Sequence, residues 1–287
     1  MKKRHALVAL ALTAALALAA CGDDDDDGGG SSSGKADPQS GKAIFEISGS
    51  GKSTKVSGPS EARAGVLELQ LKNSTKKAAS LQLIGIEGDQ DAEEAIKAGE
   101  AWGDKGGKLS SDLKLAGGLG NVAPGGTGVV RQSLSAGRYV ALNIDSNAYA
   151  EFEVTGDGTG TLASTSGTVT ASEYAFETAG PLKAGDVQLT FDNSGKEAHH
   201  IVGLAINPGK TIEEVAEFLK EDEGEGSGPP PFSEKGGFDT AILDGGTEQA
   251  FGANLKAGKY ALVCFIPDRA GGPPHVAKGM VSEAVVE

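Results

Sequence analysis

A pattern of residues recurs along this chain of 287 residues at a spacing of about 120 positions. Residues 66–74 match residues 187–194, and this match places Asn73 and Asn193 in equivalent positions. Further matches join residues 91–94 to 211–214, 125–127 to 245–247, and 136–139 to 257–260. Several matches at nearly one spacing are hard to obtain by chance, so the sequence predicts two copies of one domain.

Each copy has the pattern of a β-rich domain. The chain has 44 Gly and 5% aromatic residues, and its short apolar runs lie between turn signals. Such a sequence predicts a mostly β fold of sandwich type, with a single short helix in each copy. In the second copy, Thr211 and Glu214 form a capping box at the predicted helix start, and Ile212, Val215 and Leu219 form its apolar stripe.

Residues that bind soft metals are scarce in this chain and fall in the second copy. The chain has two Cys, two Met and four His, and beyond residue 21 the remaining ones are Cys264, Met280, His199, His200 and His275. Any one of them alone would more often be an ordinary core or surface residue. Together they offer thiolate, imidazole and thioether donors, which suit copper. We therefore predict a copper site in the second copy.

The end of the second copy resembles the cupredoxins, the plastocyanin-like blue-copper proteins. The motif is Tyr260-x-x-x-Cys264 followed by His275-x-x-x-x-Met280, and residues 191–202 are similar to the family segment that carries the first histidine ligand. The resemblance implies two tandem Greek-key β-sandwich domains, at residues 42–156 and 163–287, and copper as the cofactor. The ligands that it implies are His199, Cys264, His275 and Met280.

The loop between two of these ligands is longer than in the family. Ten residues, 265–274, separate Cys264 from His275, whereas the familiar members have only a few. Two glycines and two prolines at residues 271–274 allow such a loop to fold back. The sequence therefore permits a single site in spite of the longer connection.

The adjacent histidines His199 and His200 require a choice, because neighbouring side chains on a strand point to opposite faces. In the first copy the predicted buried face holds Ala79, Leu81 and Leu83, with Ser80 and Gln82 outside. That register favours His199 as the ligand. In the second copy, however, Val202, Leu204 and Ile206 share a face with His200. We predict His199, and His200 stays as the alternative.

The first copy lacks the predicted ligands. Ala79 stands where His199 does, Ser80 where His200 does, and Asn143 where Cys264 does. Residues 147–151 contain neither His nor Met. We expect a degenerate domain without metal ligands, whose role is structural or is to present a surface.

The start of the chain is typical of an exported lipoprotein. Three basic residues precede an apolar run at residues 6–20 that is too short to span a membrane. The run ends in Leu18-Ala-Ala-Cys21, which resembles the lipobox of bacterial lipoproteins. The resemblance implies a signal peptide at residues 1–20 and lipid on Cys21. The alternative is an ordinary secretory signal with an incidental Cys21. Asp, Gly and Ser dominate residues 21–41, which predicts a disordered tether.

The acidity of the chain restricts its partners. The formal charge is −14, and removal of the three basic side chains of residues 1–20 leaves −17. Such a charge argues against nucleic acid as a partner, because nucleic acid needs basic patches. It also disfavours close contact with anionic lipid and fits an extracytoplasmic body held at the membrane by lipid.

The function implied by the resemblance is outer-sphere electron transfer with an unidentified redox or protein partner. The sequence has no evident acid–base or nucleophile constellation, so we predict that the protein is not an enzyme. Two other functions stay open: copper homeostasis or delivery through a more open site, and a metal-free cupredoxin-like interaction module.

Overall fold

The computed structural model describes residues 41–179, 182–220 and 228–287, and β-strands dominate that part of the chain. The strands of residues 42–156, the first half, are β1 (Lys42–Ser48), β2 (Lys55–Ser57), β3 (Glu61–Arg63), β4 (Gly65–Asn73), β5 (Ala79–Ile86), β6 (Leu113–Val122), β7 (Thr127–Leu134), β8 (Gly137–Asn143) and β9 (Ala148–Thr155). The strands of residues 163–287, the second half, are β10 (Gly167–Ser172), β11 (Ala175–Ala179), β12 (Gly185–Asn193), β13 (Val202–Ile206), β14 (Phe232–Asp239), β15 (Thr247–Leu255), β16 (Gly258–Val263) and β17 (Val281–Val286). The α-helices are α1 (Ala92–Lys105) and α2 (Ile212–Lys220), and short 3₁₀ helices cover Gly51–Ser53 and His275–Lys278.

The predicted anchor lies outside the described residues. Those residues contain neither the signal peptide, nor Cys21, nor the tether up to residue 40. Lipidation at Cys21 therefore stays a prediction. Within the described ranges, no helix combines the length and the apolar character needed to cross a membrane.

One large sheet runs through both halves of the chain. Its eight strands lie in the order β11-β10-β12-β15-β7-β4-β1-β2, so four strands come from each half. The halves meet where β15 pairs antiparallel with β7, with Gln249 opposite Gln132 and Phe251 opposite Val130. Backbone hydrogen bonds therefore connect the two halves directly.

Two smaller sheets cover the large sheet and close a sandwich in each half. Their strand orders are β3-β9-β8-β5-β6 and β14-β13-β16-β17. In the first half, the rings of Phe45 and Phe152 meet edge to face with centroids 5.3 Å apart. In the second half, Phe238 stacks on Phe251 at 5.8 Å. Because these aromatic pairs join facing sheets, they fill the interior of a sandwich. The prediction of a mostly β sandwich fold is confirmed, with one α-helix in each half.

Helix α2 begins as the sequence predicts. The Thr211 N–H donates to Glu214 Oε2 at 2.9 Å, and the Glu214 N–H donates to Thr211 Oγ1 at 3.3 Å, which completes the capping box. Val215 is buried, with Ile212 and Leu219 packed beside it. The helix thereby covers the outer face of the four-stranded sheet, next to the 3₁₀ helix at His275–Lys278.

Gln82 requires a correction to one predicted face. The sequence placed Gln82 on the outside of β5, but the residue is only 2% exposed. The reason is that the second half covers this face. Gln82 Nε2 donates to the Ile242 carbonyl at 3.0 Å, and the Ile242 N–H donates to Gln82 Oε1 at 2.8 Å. Ala79, Leu81 and Leu83 are buried as predicted.

The two asparagines of the predicted repeat make equivalent contacts. Asn73 Nδ2 donates to the carbonyls of Lys77 and Val122, at 2.7 and 2.8 Å. Asn193 Nδ2 donates to the carbonyls of Glu197 and Leu243, both at 2.9 Å. In each half, a buried amide therefore ties the end of a strand to the turn that follows and to a distant segment.

Candidate metal centre

Three donor atoms from distant parts of the second half converge in the interior. His275 Nδ1 lies 3.1 Å from His199 Nδ1 and 3.4 Å from Cys264 Sγ. All three donor atoms lie within 4.8 Å of one another, and the three residues are 0% exposed. Two atoms that each lie about 2 Å from one ion are about 3 to 4 Å apart, so these separations suit a single metal ion.

Cys264 follows directly after β16 and is held by backbone bonds to the next ligand segment. The Val276 N–H donates to the Cys264 carbonyl at 2.8 Å, and the Cys264 N–H donates to the Met280 carbonyl at 3.4 Å. Burial raises the pKa of Cys264 to about 12, against the backbone N–H groups of His200 and Ile266, which lower it. The thiol therefore keeps its proton at neutral pH, and a metal ion has to displace that proton on binding.

His199 is fixed through its backbone. It forms an isolated bridge with Leu243, with N–H to carbonyl distances of 2.9 Å in both directions. Burial, with a smaller contribution from His275, lowers the pKa of His199 to about 4. The imidazole is therefore neutral at physiological pH, as a metal ligand must be. Within the described structure its Nε2 is buried without a hydrogen-bond partner.

His200 is not part of this cluster and makes a different contact. Its Nε2 accepts the Phe265 N–H at 2.9 Å, and the two rings meet edge to face with centroids 6.4 Å apart. Desolvation lowers the pKa of His200 to about 3, with smaller contributions from His275 and His199. His200 therefore holds the backbone that follows Cys264, a role that the sequence did not indicate.

His275 and Met280 lie at the two ends of one tight turn. His275 begins the 3₁₀ helix, which ends at Lys278. The capping residue Gly279 has a φ of 96°, in the left-handed region that glycine tolerates. The Met280 N–H then donates to the His275 carbonyl at 3.0 Å. Met280 is fully buried. The five-residue spacing of the motif therefore returns the backbone to Cys264, whose N–H donates to the Met280 carbonyl.

The second nitrogen of His275 is engaged by a carboxylate. His275 Nε2 donates to Asp268 Oδ1 at 2.9 Å, and the Tyr174 hydroxyl donates to the same oxygen at 3.1 Å. Burial opposes ionisation of Asp268, but hydrogen bonds from Lys278, His275 and Tyr174 lower its pKa. With the proton of His275 on Nε2, the lone pair of Nδ1 faces the cluster.

Tyr174 and Lys278 complete this arrangement beside His275. The Tyr174 ring meets the His275 ring edge to face, with centroids 5.3 Å apart. Lys278 Nζ lies 4.6 Å from the centroid of the Tyr174 ring and donates to its hydroxyl at 3.1 Å and to Asp268. The sequence analysis did not single out Asp268, although its position four residues after Cys264 is a signal that could have identified it. No sequence signal pointed to Tyr174.

The equivalent region of the first half has no such donors. Asn143, at the position of Cys264, donates from Nδ2 to the Ser80 carbonyl at 3.0 Å. In the described ranges, the group of His, Cys and acidic side chains that meets the geometry of a metal site is the one in the second half. At the position of Cys264, the first half thus has an amide that makes a hydrogen bond to the backbone.

The donor set itself points to copper. One thiol sulfur and two imidazole nitrogens meet in a buried space, and a buried thioether follows on the same turn. Two His, one Cys and a weak axial Met are the ligand set of blue-copper sites, whereas hard ions such as Mg²⁺ and Ca²⁺ prefer oxygen ligands. These residues therefore fit a bound copper ion.

Comparison with solved structures gives matches of low sequence identity, among them two auracyanins and a nitrite reductase. Auracyanin B is 21% identical over 42% of this chain and 86% of its own, with a TM-score of 0.28. Reduced auracyanin from Roseiflexus castenholzii is 21% identical over 42% of this chain and 94% of its own, also with a TM-score of 0.28. Copper nitrite reductase from Nitrosomonas europaea is 12% identical over 87% of this chain and 94% of its own, with a TM-score of 0.23. No family model and no curated protein matches the chain.

Proposed function

We propose that this chain is an extracytoplasmic electron carrier with a type 1 copper site in its second half. The ligands in this proposal are His199, Cys264, His275 and Met280. The observation that carries it is the convergence of one nitrogen from each histidine and the thiol sulfur within 4.8 Å of one another, in a fully buried setting. Copper would supply one-electron redox chemistry at this place.

The residues around the ligands are arranged to hold the donors still. Asp268 fixes the His275 ring through Nε2, and the bridge with Leu243 fixes His199. His200 anchors the backbone after Cys264. A carrier benefits from such a rigid donor set, because fixed ligands keep the structural change on electron transfer small.

The burial of the ligands favours electron transfer over catalysis. His199, Cys264, His275 and Met280 are all 0% exposed, so the donors leave no open approach for a substrate. Catalytic metal sites keep an open coordination position. We therefore propose that the protein is not an enzyme and that its partner is another redox protein.

Membrane attachment belongs to the same proposal. Lipid on Cys21 would hold the carrier at the outer side of the membrane, and the tether at residues 21–41 would give it reach. Residues 42–156 and 163–287 would be the degenerate and the metal-binding copy of one duplicated domain. The equivalent hydrogen bonds of Asn73 and Asn193 support that duplication.

Copper loading of residues 41–287 tests the proposal. We expect one copper per chain by elemental analysis and an intense visible copper–thiolate band, which Cys264→Ser should abolish. The zinc-loaded chain is the matched control, since Zn²⁺ has no redox chemistry. A pale copper complex would favour homeostasis or delivery instead. Absence of uptake would favour the metal-free interaction module.

A further inference from the structure

The loop between Cys264 and His275 is docked on the first half of the chain. Trp102 Nε1, on α1, donates to the Asp268 carbonyl at 2.8 Å. The Leu109 N–H donates to the Arg269 carbonyl at 2.8 Å, and the Gly272 N–H donates to the Gly106 carbonyl at 3.2 Å. The half without metal ligands therefore contacts the loop that sets the position of His275.

Arg269 extends this docking with its side chain. Its guanidinium donates to the Ser110 and Leu113 carbonyls at 3.0 and 2.9 Å, and it pairs with Asp244. The Arg269 side chain is 21% exposed. An arginine whose planar fork meets several acceptors at once fixes the backbone that carries it, because few of its rotamers satisfy all of them.

The contact between the end of α1 and the loop before His275 requires glycine on both sides. A Cβ atom at Gly106 would lie 2.7 Å from the Gly272 carbonyl oxygen, and one at Gly271 would lie 2.4 Å from the Gly106 carbonyl oxygen. Gly106 also has φ 61° and Gly271 φ 87°. Both positions therefore exclude other residues for reasons of space and of backbone conformation. The glycines in this loop allow contact with the first half as well as the turn.

Asp268 connects this docking to the metal ligand. Its backbone carbonyl accepts from Trp102, and its carboxylate accepts from His275 Nε2. A partner that bonds the outer nitrogen of a ligand histidine fixes the tautomer and the orientation of the ring. The position of the Asp268 backbone is therefore coupled to the direction in which His275 Nδ1 points.

We propose that the first half acts as a clamp for the metal centre, with Trp102 and Asp268 as positioning residues for His275. This inference rests on the proposed copper function for its purpose, but the clamp itself is a property of the metal-free chain. A degenerate copy without ligands thereby contributes to a site that lies entirely in the other copy.

Trp102→Phe in residues 41–287 tests the clamp, with Tyr139→Phe as the matched control. Tyr139 also lies in the first half, and its hydroxyl donates to the Ser135 carbonyl at 2.9 Å, away from the loop. Nitrogen-15 NMR of the metal-free chain reports the tautomer of His275 and the exchange of its Nε2 proton. We expect Trp102→Phe to mix the tautomers and speed the exchange, and Tyr139→Phe to change neither.

Copper affinity provides the second readout. Loss of a partner that orients a ligand typically lowers metal affinity about 10- to 100-fold, so we expect that range for Asp268→Ala and a smaller loss, about 3- to 10-fold, for Trp102→Phe. Gly271→Ala breaks the same docking from the loop side, so we expect the same loss of copper affinity. It replaces Trp102→Phe as the test if Trp102→Phe folds poorly.

The NMR result separates the two hypotheses. A chain that takes up no copper but still shows the tautomer change in Trp102→Phe would overturn the proposed function and leave the clamp intact. Wild-type behaviour of His275 in both Trp102→Phe and Gly271→Ala would overturn the clamp, whatever the copper result.

Discussion

The Nδ1 atoms of His199 and His275 lie 3.1 Å apart in the interior of the second half. Both rings are fully buried, and burial lowers the pKa of each, so both are neutral at physiological pH. Because His275 carries its proton on Nε2, its Nδ1 offers a lone pair towards His199. Two neutral imidazoles and a thiol that loses its proton can together coordinate one metal ion.

The adjacent histidines should respond differently to substitution. His199→Ala removes a donor and should abolish the copper–thiolate band. His200→Ala should keep the band, because its Nε2 is engaged by the Phe265 N–H, and it should weaken copper binding several-fold by loosening the backbone after Cys264. Visible spectra and copper titration of both variants measure this. The opposite pattern, a bleached His200→Ala with a coloured His199→Ala, would move the ligand to His200.

Met280→Leu should keep the colour and raise the reduction potential. The axial thioether tunes a blue-copper site without holding it together, and exchange of Met for Leu conserves volume in the core, at a cost of less than about 1.5 kcal/mol. Voltammetry of the loaded chain measures the potential. Leu189→Met, a similar exchange at a buried position on β12, should leave the potential unchanged. Equal potentials for Met280→Leu and the wild type would argue against axial ligation.

Asp239 should make the stability of the protein depend on pH. Its carboxylate accepts from the Asn121 N–H at 3.1 Å and from Asn121 Nδ2 at 2.9 Å, across the contact between the halves. Burial raises its pKa to about 6, above the value of about 3.9 in an unfolded chain. The folded chain therefore binds this proton more tightly, so Asp239 should contribute up to about 3 kcal/mol to the free energy of unfolding as the pH falls from 7 towards 4. His199 and His200 act in the opposite direction, because desolvation lowers their pKa values and makes the unfolded chain the better proton acceptor.

Asp239→Asn should remove this contribution, so the free energy of unfolding of the variant should fall more steeply, or rise less, than that of the wild type as the pH falls. Urea unfolding at pH 4.5 and pH 7 measures the free energy of unfolding in the variant and the wild type. Asp186→Asn, at an exposed carboxylate, is the control and should keep the wild-type slope. An unchanged slope in Asp239→Asn would assign the pH dependence to other groups.

Cys21→Ser should release the full-length protein from the membrane. The anchor expected from the lipobox is the lipid on Cys21, and a serine cannot carry it through a thioether. Membrane fractionation of cells that express each form measures the release. Cys264→Ser is the matched control and should stay in the membrane fraction. Retention of Cys21→Ser there would count against lipidation.

The sequence was most informative where chemistry depends on rare residues. Cys264, His199 and His275 stood out because the chain has few thiols and imidazoles, and the structure brings their donor atoms together. The α2 capping box was predictable because its two residues are three positions apart and act locally. Copper ligation itself stays a prediction.

Contacts that depend on the docking of the two halves were not predictable. Gln82 was wrongly placed outside, because the repeat describes one sandwich and carries no signal for the surface that the second half covers. Trp102 and Asp268 lie 166 positions apart and meet through a side-chain donor and a backbone carbonyl. Every residue has a backbone carbonyl, so neither the hydrogen bond between Trp102 and Asp268 nor the clamp could be predicted from the sequence.

The pairing of β15 with β7 leads us to expect that the two halves unfold as a single cooperative unit. Separation of the halves would leave a bare strand edge on each, with Gln249 and Gln132 exposed, and such edges invite aggregation. Unfolding of one half therefore removes the support of the other, and one transition is expected for the whole. A ligand that binds only the folded state stabilises everything that unfolds with it, so copper in the second half would protect strands of the first half that it never touches.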